Sequence, residues 1–251
     1  MSATGTRLEV LTPEWRAARR VRAAFTLRGG GVSAAPFDSL NLGAHVGDDA
    51  AAVAENRRRV RALLELPAEP EWLEQVHGTH VADLDAPGGD ARAPADAVLT
   101  RTRGRVCVVQ VADCMPVLFA ARDASAVAVA HAGWRGLAAG VLEATVAKLG
   151  VVGADLSAWL GPAISAQHFE VGEEVRQAFL ARDAGADAAF RRNPRGRWQC
   201  DLALLARRRL GALGIGQISG GTWCTYADPA RFFSFRRDGR CGRMAALIWL
   251  A

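Results

Sequence analysis

The sequence predicts an α+β fold in which helices and strands are mixed and the sheets are covered on both faces. Continuous apolar runs of strand length, without alternation, indicate strands that are buried on two sides. Segments with helical periodicity that stop at glycine or proline indicate several helices. Some strands follow one another with no room for a crossover helix, which excludes a purely doubly wound sheet.

In chain order, the first predicted element is a helix over residues 48–66. Val53 and Val60 fall on one face, and Pro67 ends the run because proline cannot donate the backbone hydrogen bond that a helix needs. Three strands follow, and each is a continuous apolar run: 105–112, 116–121 and 126–132. Such continuous runs indicate sheets that are covered on both faces.

The second half of the sequence predicts both helices and strands. A helix over 137–149 ends at Gly150, because glycine readily adopts the left-handed conformation that closes a helix. Two further helices are predicted over 172–184 and 201–213. The remaining apolar runs predict three strands: 156–161, 231–237 and 244–250.

The length and composition predict one domain. The chain has 251 residues, and half of them are apolar, which is enough to bury a large core. There is no internal repeat and no long low-complexity linker; the most loop-like stretch is 85–96. We therefore expect a single domain over residues 1–251, with residues 1–20 as a peripheral or poorly ordered N-terminal segment.

The net charge of +5 does not predict a nucleic-acid partner, because the 31 basic residues mostly alternate with acids or alanine along predicted helix faces. The five cysteines form no CxxC pair, which favours a reduced protein over a disulfide framework. No apolar run has the length of a membrane helix, and the first 20 residues lack the apolar core of a signal peptide. We expect a cytoplasmic protein that binds neither nucleic acid nor membranes.

Three side chains at expected strand ends are candidate metal ligands. His77 lies in EQVHGTHV, Cys114 in VADCMPVLF, and His131 at the end of AVAVAHA. Two imidazoles and a thiolate suit Zn²⁺ and leave its fourth position open, as in catalytic zinc sites. Their separations of 37 and 17 residues do not match the short pairs of structural zinc motifs. The spacing alone therefore leaves loop histidines and a buried cysteine as the alternative.

The same residue types also fit a Cys-dependent hydrolase. Cys114 would be the thiolate nucleophile, His131 or His77 its base, and Asp113 the residue that orients the base. A multicopper oxidase is a weaker match, because its copper sites need on the order of ten histidines. The five histidines of this chain are too few for such a set.

Two further stretches are candidates for substrate binding. In HAGWRGLAAG, Arg135 and its flanking glycines precede a predicted helix, which suits phosphate; a plain turn with a surface arginine is the alternative. The stretch 29–49 has neither a helical nor a strand period, and such loops often carry function. Three of its polar side chains are candidates to hydrogen-bond a sugar or base: Ser33, Asn41 and His45. Arg57, on the next helix, is a candidate to contact an anion.

Several long motifs occur in order from about residue 25 to the end of the sequence: GVSAAPFDSLNLGAHVGDD, NRRRV, EQVHGTHV, ADCMPVLF, HAGWRGLAAGV, GPAISAQHFEVGEEV, CTY and FFSFRRDGRCGRMAALIWL. Together they resemble the YfiH family, whose members are described as laccase-domain polyphenol oxidoreductases and as purine nucleoside phosphorylases. The resemblance implies a single-domain, four-layer α–β–β–α sandwich with mixed sheets. It also implies a zinc site of His77, Cys114 and His131, with zinc preferred to copper.

The resemblance implies a function as well. It implies phosphorolysis of adenosine, inosine and methylthioadenosine to the base and ribose 1-phosphate, or its methylthio analogue, and deamination of adenosine to inosine. Editing of peptidoglycan precursors, to which some members are linked, and the Cys-dependent hydrolase are the first alternatives. A copper-dependent polyphenol oxidase is the second. We expect a monomer or weak dimer that binds purine nucleosides and phosphate.

Catalytic roles follow from this implied chemistry. Deamination needs a proton shuttle, for which we nominate Asp113, next to the proposed ligand Cys114, with Glu170 in HFEVG as second choice. Asp113 is alternatively a partner that orients one of the histidine ligands. For phosphorolysis, Arg135 and Arg57 are the candidates to bind phosphate, together with the backbone of GWRG.

Overall fold

The computed structural model of the protein describes residues 7–87 and 93–251. The helices are α1 Ala50–Leu63, α2 Trp134–Ala139, α3 Val141–Leu149, α4 Glu173–Leu180, α5 Leu202–Ala212 and α6 Phe235–Asp238. The strands are β1 Val10–Leu11, β2 Val21–Thr26, β3 Val81–Asp83, β4 Ala97–Thr100, β5 Val106–Val111, β6 Met115–Ala121, β7 Val127–Ala132, β8 Leu156–Leu160, β9 Glu170–Val171, β10 Phe190–Arg192, β11 Trp198–Cys200, β12 Gln217–Gly220 and β13 Met244–Leu250. Within the described ranges, no helix combines the length and the apolarity that crossing a membrane requires.

Two sheets form the centre of the molecule. One has four strands in the order β1-β2-β13-β5, and all its neighbours are antiparallel. The other has six strands in the order β12-β8-β6-β7-β4-β3, with parallel pairs at both edges and antiparallel pairs in the middle. A small third sheet has the order β10-β11-β9. The large sheet is therefore mixed, as predicted.

Strand β5 shows why its sequence is apolar throughout. Cys107 and Val109 pack into the core between the two large sheets, whereas Val106 and Val108 pack into the core beneath α1. Successive side chains of a strand point to opposite faces, so a strand with a core on each side needs apolar residues at every position. The same alternation holds for β13, the neighbour of β5.

Helices cover the outer faces of both sheets. The outer face of the six-stranded sheet packs on α2 to α5, with Leu142 and Val146 of α3 in that core. The outer face of the four-stranded sheet packs on α1, in a core that includes Val60. The layers are thus α1, the four-stranded sheet, the six-stranded sheet and the remaining helices. This order confirms the four-layer α–β–β–α sandwich.

The predicted strand over 231–237 is wrong. Phe232 and Phe233 are buried in the core between the sheets, but their backbone joins no strand. Ser234 then caps α6, because its Oγ accepts a hydrogen bond from the N–H of Arg237 at 3.2 Å. Phe232 and Phe233 therefore contribute to the core from a loop, and the short helix α6 follows them.

The predicted helix over 137–149 is two helices. It begins earlier, at Trp134, and is interrupted at Gly140, whose φ of 107° ends α2. The Gly140 N–H bonds to the carbonyls of Gly136 and Leu137, and α3 starts directly afterwards. The apolar face continues across this break because both helices pack on the same sheet.

The structure also contains strands that the sequence did not predict, among them β2, β4 and the short strands β9 to β12. Of the predicted peripheral segment 1–20, residues 1–6 lie outside the described residues, and Val10–Leu11 pairs with β2 at the edge of its sheet.

Candidate functional site

Three segments bring His77, Cys114 and His131 together. His77 lies in the loop before β3, Cys114 immediately precedes β6, and His131 lies near the end of β7. Pro116 of β6 pairs with His131 of the neighbouring strand, which explains why Cys114 and His131 meet despite their separation in sequence. The ligand atoms of the three side chains all lie within 4.8 Å of one another, and Sγ of Cys114 is 3.7 Å from Nε2 of His77.

Asp96 holds both histidines in place. Its carboxylate is buried and accepts a hydrogen bond from Nδ1 of His131 at 2.8 Å. It also accepts the backbone N–H groups of Val76, His77 and Gly78 at 3.1, 2.9 and 2.6 Å. Burial acts to raise the pKa of Asp96, but these hydrogen bonds outweigh it and hold the pKa below its usual value. Since Nδ1 of His131 is engaged, Nε2 is the atom that this imidazole offers to a metal.

Gly133 makes room for the cluster. A Cβ at this position would lie 2.8 Å from Sγ of Cys114 and 2.9 Å from Cδ2 of His77, closer than such atoms can approach. Gly136 likewise lets the loop of His77 pack closely, because a Cβ there would lie 2.9 Å from the carbonyl oxygen of Gly78. From the sequence, these glycines were expected to let backbone N–H groups approach a ligand. The structure shows that Gly133 also accommodates the side chains of Cys114 and His77, and that Gly136 accommodates the loop of His77.

The electrostatics of the cluster favour a thiolate. Burial acts to raise the pKa of the Cys114 thiol, but His131 and His77 outweigh burial and lower it to about 6. Burial also acts to lower the pKa of His131, but Cys114 and Asp96 outweigh it and raise that pKa to about 9. A thiolate is the form in which cysteine binds metals and also the form in which it is a nucleophile.

Asp113 adopts an unusual backbone conformation beside Cys114, with a φ of 90°. Both of its carboxylate oxygens accept hydrogen bonds. The hydroxyl of Thr225 donates to Oδ1 at 2.6 Å, and the backbone N–H of Arg236 donates to Oδ2 at 2.7 Å. Asp113 therefore joins the segment before β6 to the start of α6.

A cavity of about 440 Å³ opens over the cluster, which is a typical size for a small-molecule site. Its apolar lining comes mainly from Val111, Ala112, Trp134, Ile164, Phe169, Leu202 and Phe235. Its polar lining consists of three arginines, two glutamines and the residues around the metal-donor cluster: Arg135, Arg236, Arg243, Gln75, Gln110, His45, Asp113, His77, Cys114 and His131. The cavity thus combines metal donors, cations and flat apolar surfaces.

Four of the residues predicted for this site line the cavity beside the two candidate histidine ligands: His45, Asp113, Cys114 and Arg135. Ser33 and Asn41 do not. The hydroxyl of Ser33 donates to Asp48 at 2.7 Å and accepts from Asn56 at 2.9 Å. Asn41 also donates to Asp48, at 2.8 Å, and accepts the backbone N–H of Arg243 at 2.8 Å. These side chains shape their own loop and support an arginine of the cavity.

Arg57 and Glu170 do not line the cavity either. The guanidinium of Arg57 donates twice to the carbonyl of Leu42 and lies 3.8 Å above the ring of Trp72. The carboxylate of Glu170 is paired with Arg195. Both predicted residues are therefore engaged elsewhere in the fold.

Several residues of the site were not predicted from the sequence, namely Asp96, Gln75, Gln110, Phe235, Arg236 and Arg243. One signal for Gln110 was available, because it is the single polar position within the apolar run VCVVQVA at 106–112. Arg236 and Arg243 lie in a motif that contributed only to the family resemblance. Asp96 ends the loop-like stretch 85–96, and nothing in its neighbours in sequence indicates a partner.

Comparison with known proteins gives consistent matches over nearly the whole chain. Residues 22–251 match the family model described as multi-copper polyphenol oxidoreductase laccase. A Pseudomonas aeruginosa protein named purine nucleoside phosphorylase is 56% identical and covers 96% of this chain and 98% of its own. The purine nucleoside phosphorylase YfiH of Escherichia coli is 51% identical, with coverages of 96% and 99%. A crystal structure from Neisseria meningitidis superposes with a TM-score of 0.90 at 47% identity, covering 96% of this chain and 98% of that protein.

Proposed function

This chain belongs to the YfiH family, whose model is described as multi-copper polyphenol oxidoreductase laccase, and from that premise we propose that it cleaves purine nucleosides with phosphate. The proposed substrates are adenosine, inosine and methylthioadenosine, and the proposed products are the free base and ribose 1-phosphate, or its methylthio analogue from methylthioadenosine. The names of its relatives support this reaction. The observation that carries the proposal is a single cavity that contains both a metal-donor cluster and three arginines.

Phosphorolysis places two demands on the site: a phosphate held beside C1′ of the ribose, and stabilisation of the charge that develops on the leaving base. Arg135 suits the phosphate. Its guanidinium stacks on Trp134 at 4.5 Å and, among the described residues, has no hydrogen-bond or ion-pair partner. Arg236 and Arg243 line the same cavity and add positive charge. We propose that Arg135 is the main phosphate ligand of this group.

We propose that the cluster of His77, Cys114 and His131 holds Zn²⁺. The donor set is the one that zinc prefers, the lowered pKa of Cys114 supplies the thiolate, and Gly133 leaves the space that the donors need. A bound Zn²⁺ would supply a Lewis acid and lower the pKa of a water toward about 7. Copper is the second choice for the same three donors.

Deamination of adenosine is a second activity that we propose for this cavity, supported by the open three-donor set. The position of Asp113 supports a positioning role, because both of its oxygens hold Thr225 and the start of α6. Glu170 lies outside the cavity lining, so its position gives no support for a role as the proton shuttle.

One observation favours a Cys-dependent hydrolase as the second candidate function. Cys114, His131 and Asp96 resemble a catalytic triad, with Cys114 as nucleophile, His131 as base and Asp96 as the carboxylate that orients the base. Oδ1 of Asp96 lies 2.8 Å from Nδ1 of His131. Asp96 would fill the orienting role that the sequence suggested for Asp113. Such an enzyme would need no metal. It would therefore keep its activity in a strong chelator and lose it on alkylation of the thiol.

The test is a chromatographic product assay on purified protein loaded with Zn²⁺. Adenosine, inosine and methylthioadenosine are each incubated with and without phosphate, using the native protein, Cys114→Ala and Cys200→Ala. We expect free base only with phosphate, loss of product in Cys114→Ala, and normal turnover in Cys200→Ala, because Cys200 is buried away from the cavity. Inosine formed from adenosine without phosphate would demonstrate the deaminase.

Other outcomes separate the alternatives. Turnover of a thioester, ester or peptidoglycan-precursor substrate that survives chelation and is lost on alkylation would replace the proposal with the thiol hydrolase. Oxygen consumption with phenols that requires stoichiometric copper would replace it with the polyphenol oxidase. No base from any nucleoside by fully zinc-loaded protein would contradict phosphorolysis.

A further inference from the structure

Gln110 is a buried polar side chain on the wall of the cavity. It is 5% exposed, and its Oε1 has no hydrogen-bond partner among the described residues. Buried amide groups in proteins are nearly always hydrogen-bonded, because an unpaired buried polar atom is costly. An unpaired carboxamide oxygen at a cavity wall therefore indicates a ligand that supplies the partner.

The surroundings of Gln110 fix its backbone at that wall. Its backbone N–H donates to Oε1 of Gln75 at 2.7 Å, and its carbonyl accepts from Nε2 of Gln75 at 2.9 Å. Ala245 of β13 pairs with it on the other side. A Cβ on Gly43 would lie 2.8 Å from Cγ of Arg243 and 3.3 Å from Oε1 of Gln110, so glycine at position 43 lets both side chains pack closely against its backbone. The backbone that carries the carboxamide is held in place before any ligand binds, which reduces the entropy lost on binding.

Phe235 provides a second, independent feature of the same cavity. It is 58% exposed, yet it lines the cavity at the start of α6. The hydrogen bond between the N–H of Arg236 and Asp113 holds this end of the helix. An exposed aromatic ring at a cavity is a suitable surface on which a flat heteroaromatic ring stacks. Gln110 can thus form hydrogen bonds to the edge of a flat heteroaromatic ring, and Phe235 can stack on the face of that ring.

We infer that Gln110 and Phe235 form the subsite for the purine base, with Phe235 against the ring face and Gln110 hydrogen-bonded to the edge that carries N1 and the 6-substituent. This inference rests on the proposed function. A primary amide presents a donor and an acceptor side by side. In one orientation it matches the 6-amino group and N1 of adenine, and turned over it matches the 6-oxo group and N1–H of hypoxanthine. The same side chain therefore accepts both 6-amino and 6-oxo purines.

The first test replaces Gln110 with methionine, which has similar length and cannot form these hydrogen bonds. We expect Gln110→Met to raise KM for adenosine and inosine by about tenfold, since that corresponds to the loss of ordinary hydrogen bonds. Purine riboside has no 6-substituent, so its KM should rise by less than about threefold. Gln177→Met, on the exposed face of α4, is the matched control and should leave all three values unchanged.

The second test addresses the ring face. Phe235→Ala should raise KM for adenosine, inosine and purine riboside alike, by about tenfold, because stacking does not depend on the 6-substituent. Phe235→Trp should restore KM, because tryptophan offers a larger stacking surface. Because Phe235 is exposed, these variants are expected to fold normally, and their melting temperatures and zinc contents are measured alongside.

The pattern of effects decides the inference. A Gln110→Met enzyme with unchanged KM, or with the same increase for all three nucleosides, would overturn the role of Gln110. Phe235→Ala with native KM values would overturn the stacking role. Calorimetric binding of adenine and hypoxanthine separates this inference from the proposed function. Base binding that requires Gln110 in a protein with no phosphorolysis would overturn the proposed reaction and retain the subsite.

Discussion

A single buried carboxylate, that of Asp96, contacts both histidine-bearing segments of the candidate site. It bonds to the imidazole of His131 and to three consecutive backbone N–H groups around His77. Carboxylates that bond to a metal-binding imidazole fix its orientation and raise its basicity. One side chain therefore sets the direction of one donor and the loop position of the other.

We expect Asp96→Asn to weaken Zn²⁺ binding by about 10- to 100-fold, the usual effect of losing such a partner. The neutral amide cannot reproduce a charged acceptor that serves four hydrogen bonds. Competition with a chelating dye measures the affinity, and Asp155→Asn, at the exposed end of a short 3₁₀ helix, is the control. An unchanged affinity would mean that packing alone orients the imidazole.

At the residue scale, the sequence predicts the donor set but not its supports. His77, Cys114 and His131 were candidates because histidine is scarce and each stands at an expected strand end, and the family resemblance implied that the three form one set. Asp96 was not, because its partner His131 is 35 positions away and only the pairing of strands brings them together. Asp113 was nominated as the proton shuttle because it is next to Cys114 in sequence. Its carboxylate, however, accepts hydrogen bonds from Thr225 and Arg236, which lie 112 and 123 positions later and could not be predicted as its partners.

At the scale of elements, the start of α6 is held by a junction of three segments. Asp113 precedes β6, Thr225 lies in the segment after β12, and Arg236 is the second residue of α6. Hydrogen bonds of 2.6 and 2.7 Å join Asp113 to the other two. Arg236 and Phe235 reach the cavity from this helix. The position of the short helix therefore depends on the buried carboxylate more than on its own four residues.

We expect Thr225→Val to lower the free energy of unfolding by about 1.5–3 kcal/mol, because it removes a buried hydrogen bond to a charged acceptor. It should also raise KM for phosphate, because Arg236 loses part of its support. Urea unfolding and phosphate titration measure the two effects. Thr145→Val is the control, since Thr145 is equally buried but donates to a carbonyl within α3. Lost stability with unchanged KM would limit the junction to a structural role.

The sequence predicts well the strands of sheets that are covered on both faces, because every residue of such a strand is buried. The long strands β5 to β8 and β13 are continuous apolar runs, and they are present. Strands β9 to β12 have only two to four residues each, too few for a periodicity to be visible. In the segment 231–237, by contrast, the sequence predicts a strand that is not present. Phe232 and Phe233 are apolar because they are buried in the core between the sheets, but they reach it from a loop without strand pairing.

At the scale of the molecule, the donors belong to three segments that meet only in the folded chain. A ligand that binds only the folded state stabilises it by about 4 kcal/mol when its free concentration is a thousand times its dissociation constant. For a chain of this length, that corresponds to a rise of roughly 8–16 °C in melting temperature. We therefore expect Zn²⁺ at saturation to produce such a rise relative to chelated protein, measured by calorimetry.

Cys114→Ala provides the control for this measurement, because it removes one donor and should abolish most of the rise. Gly211→Ala, on α5, is a matched alanine variant outside the cavity with free space at its Cβ, and it should keep the full rise. Equal melting temperatures for zinc-loaded and chelated native protein would contradict a metal site in this cluster.

The place of β13 has a consequence for the order in which the protein is made. Residues 244–250 form this strand, which lies between β2 and β5 and bonds to both along its length. During synthesis, β2 and β5 leave the ribosome long before β13. Until β13 emerges, the strand edges with which it pairs have unpaired backbone groups. β5 leads directly to Cys114, so the donors gain their finished support only when residue 250 has emerged. We therefore expect the cluster of His77, Cys114 and His131 to reach its final geometry late in synthesis, after β13 has paired with both of its neighbours.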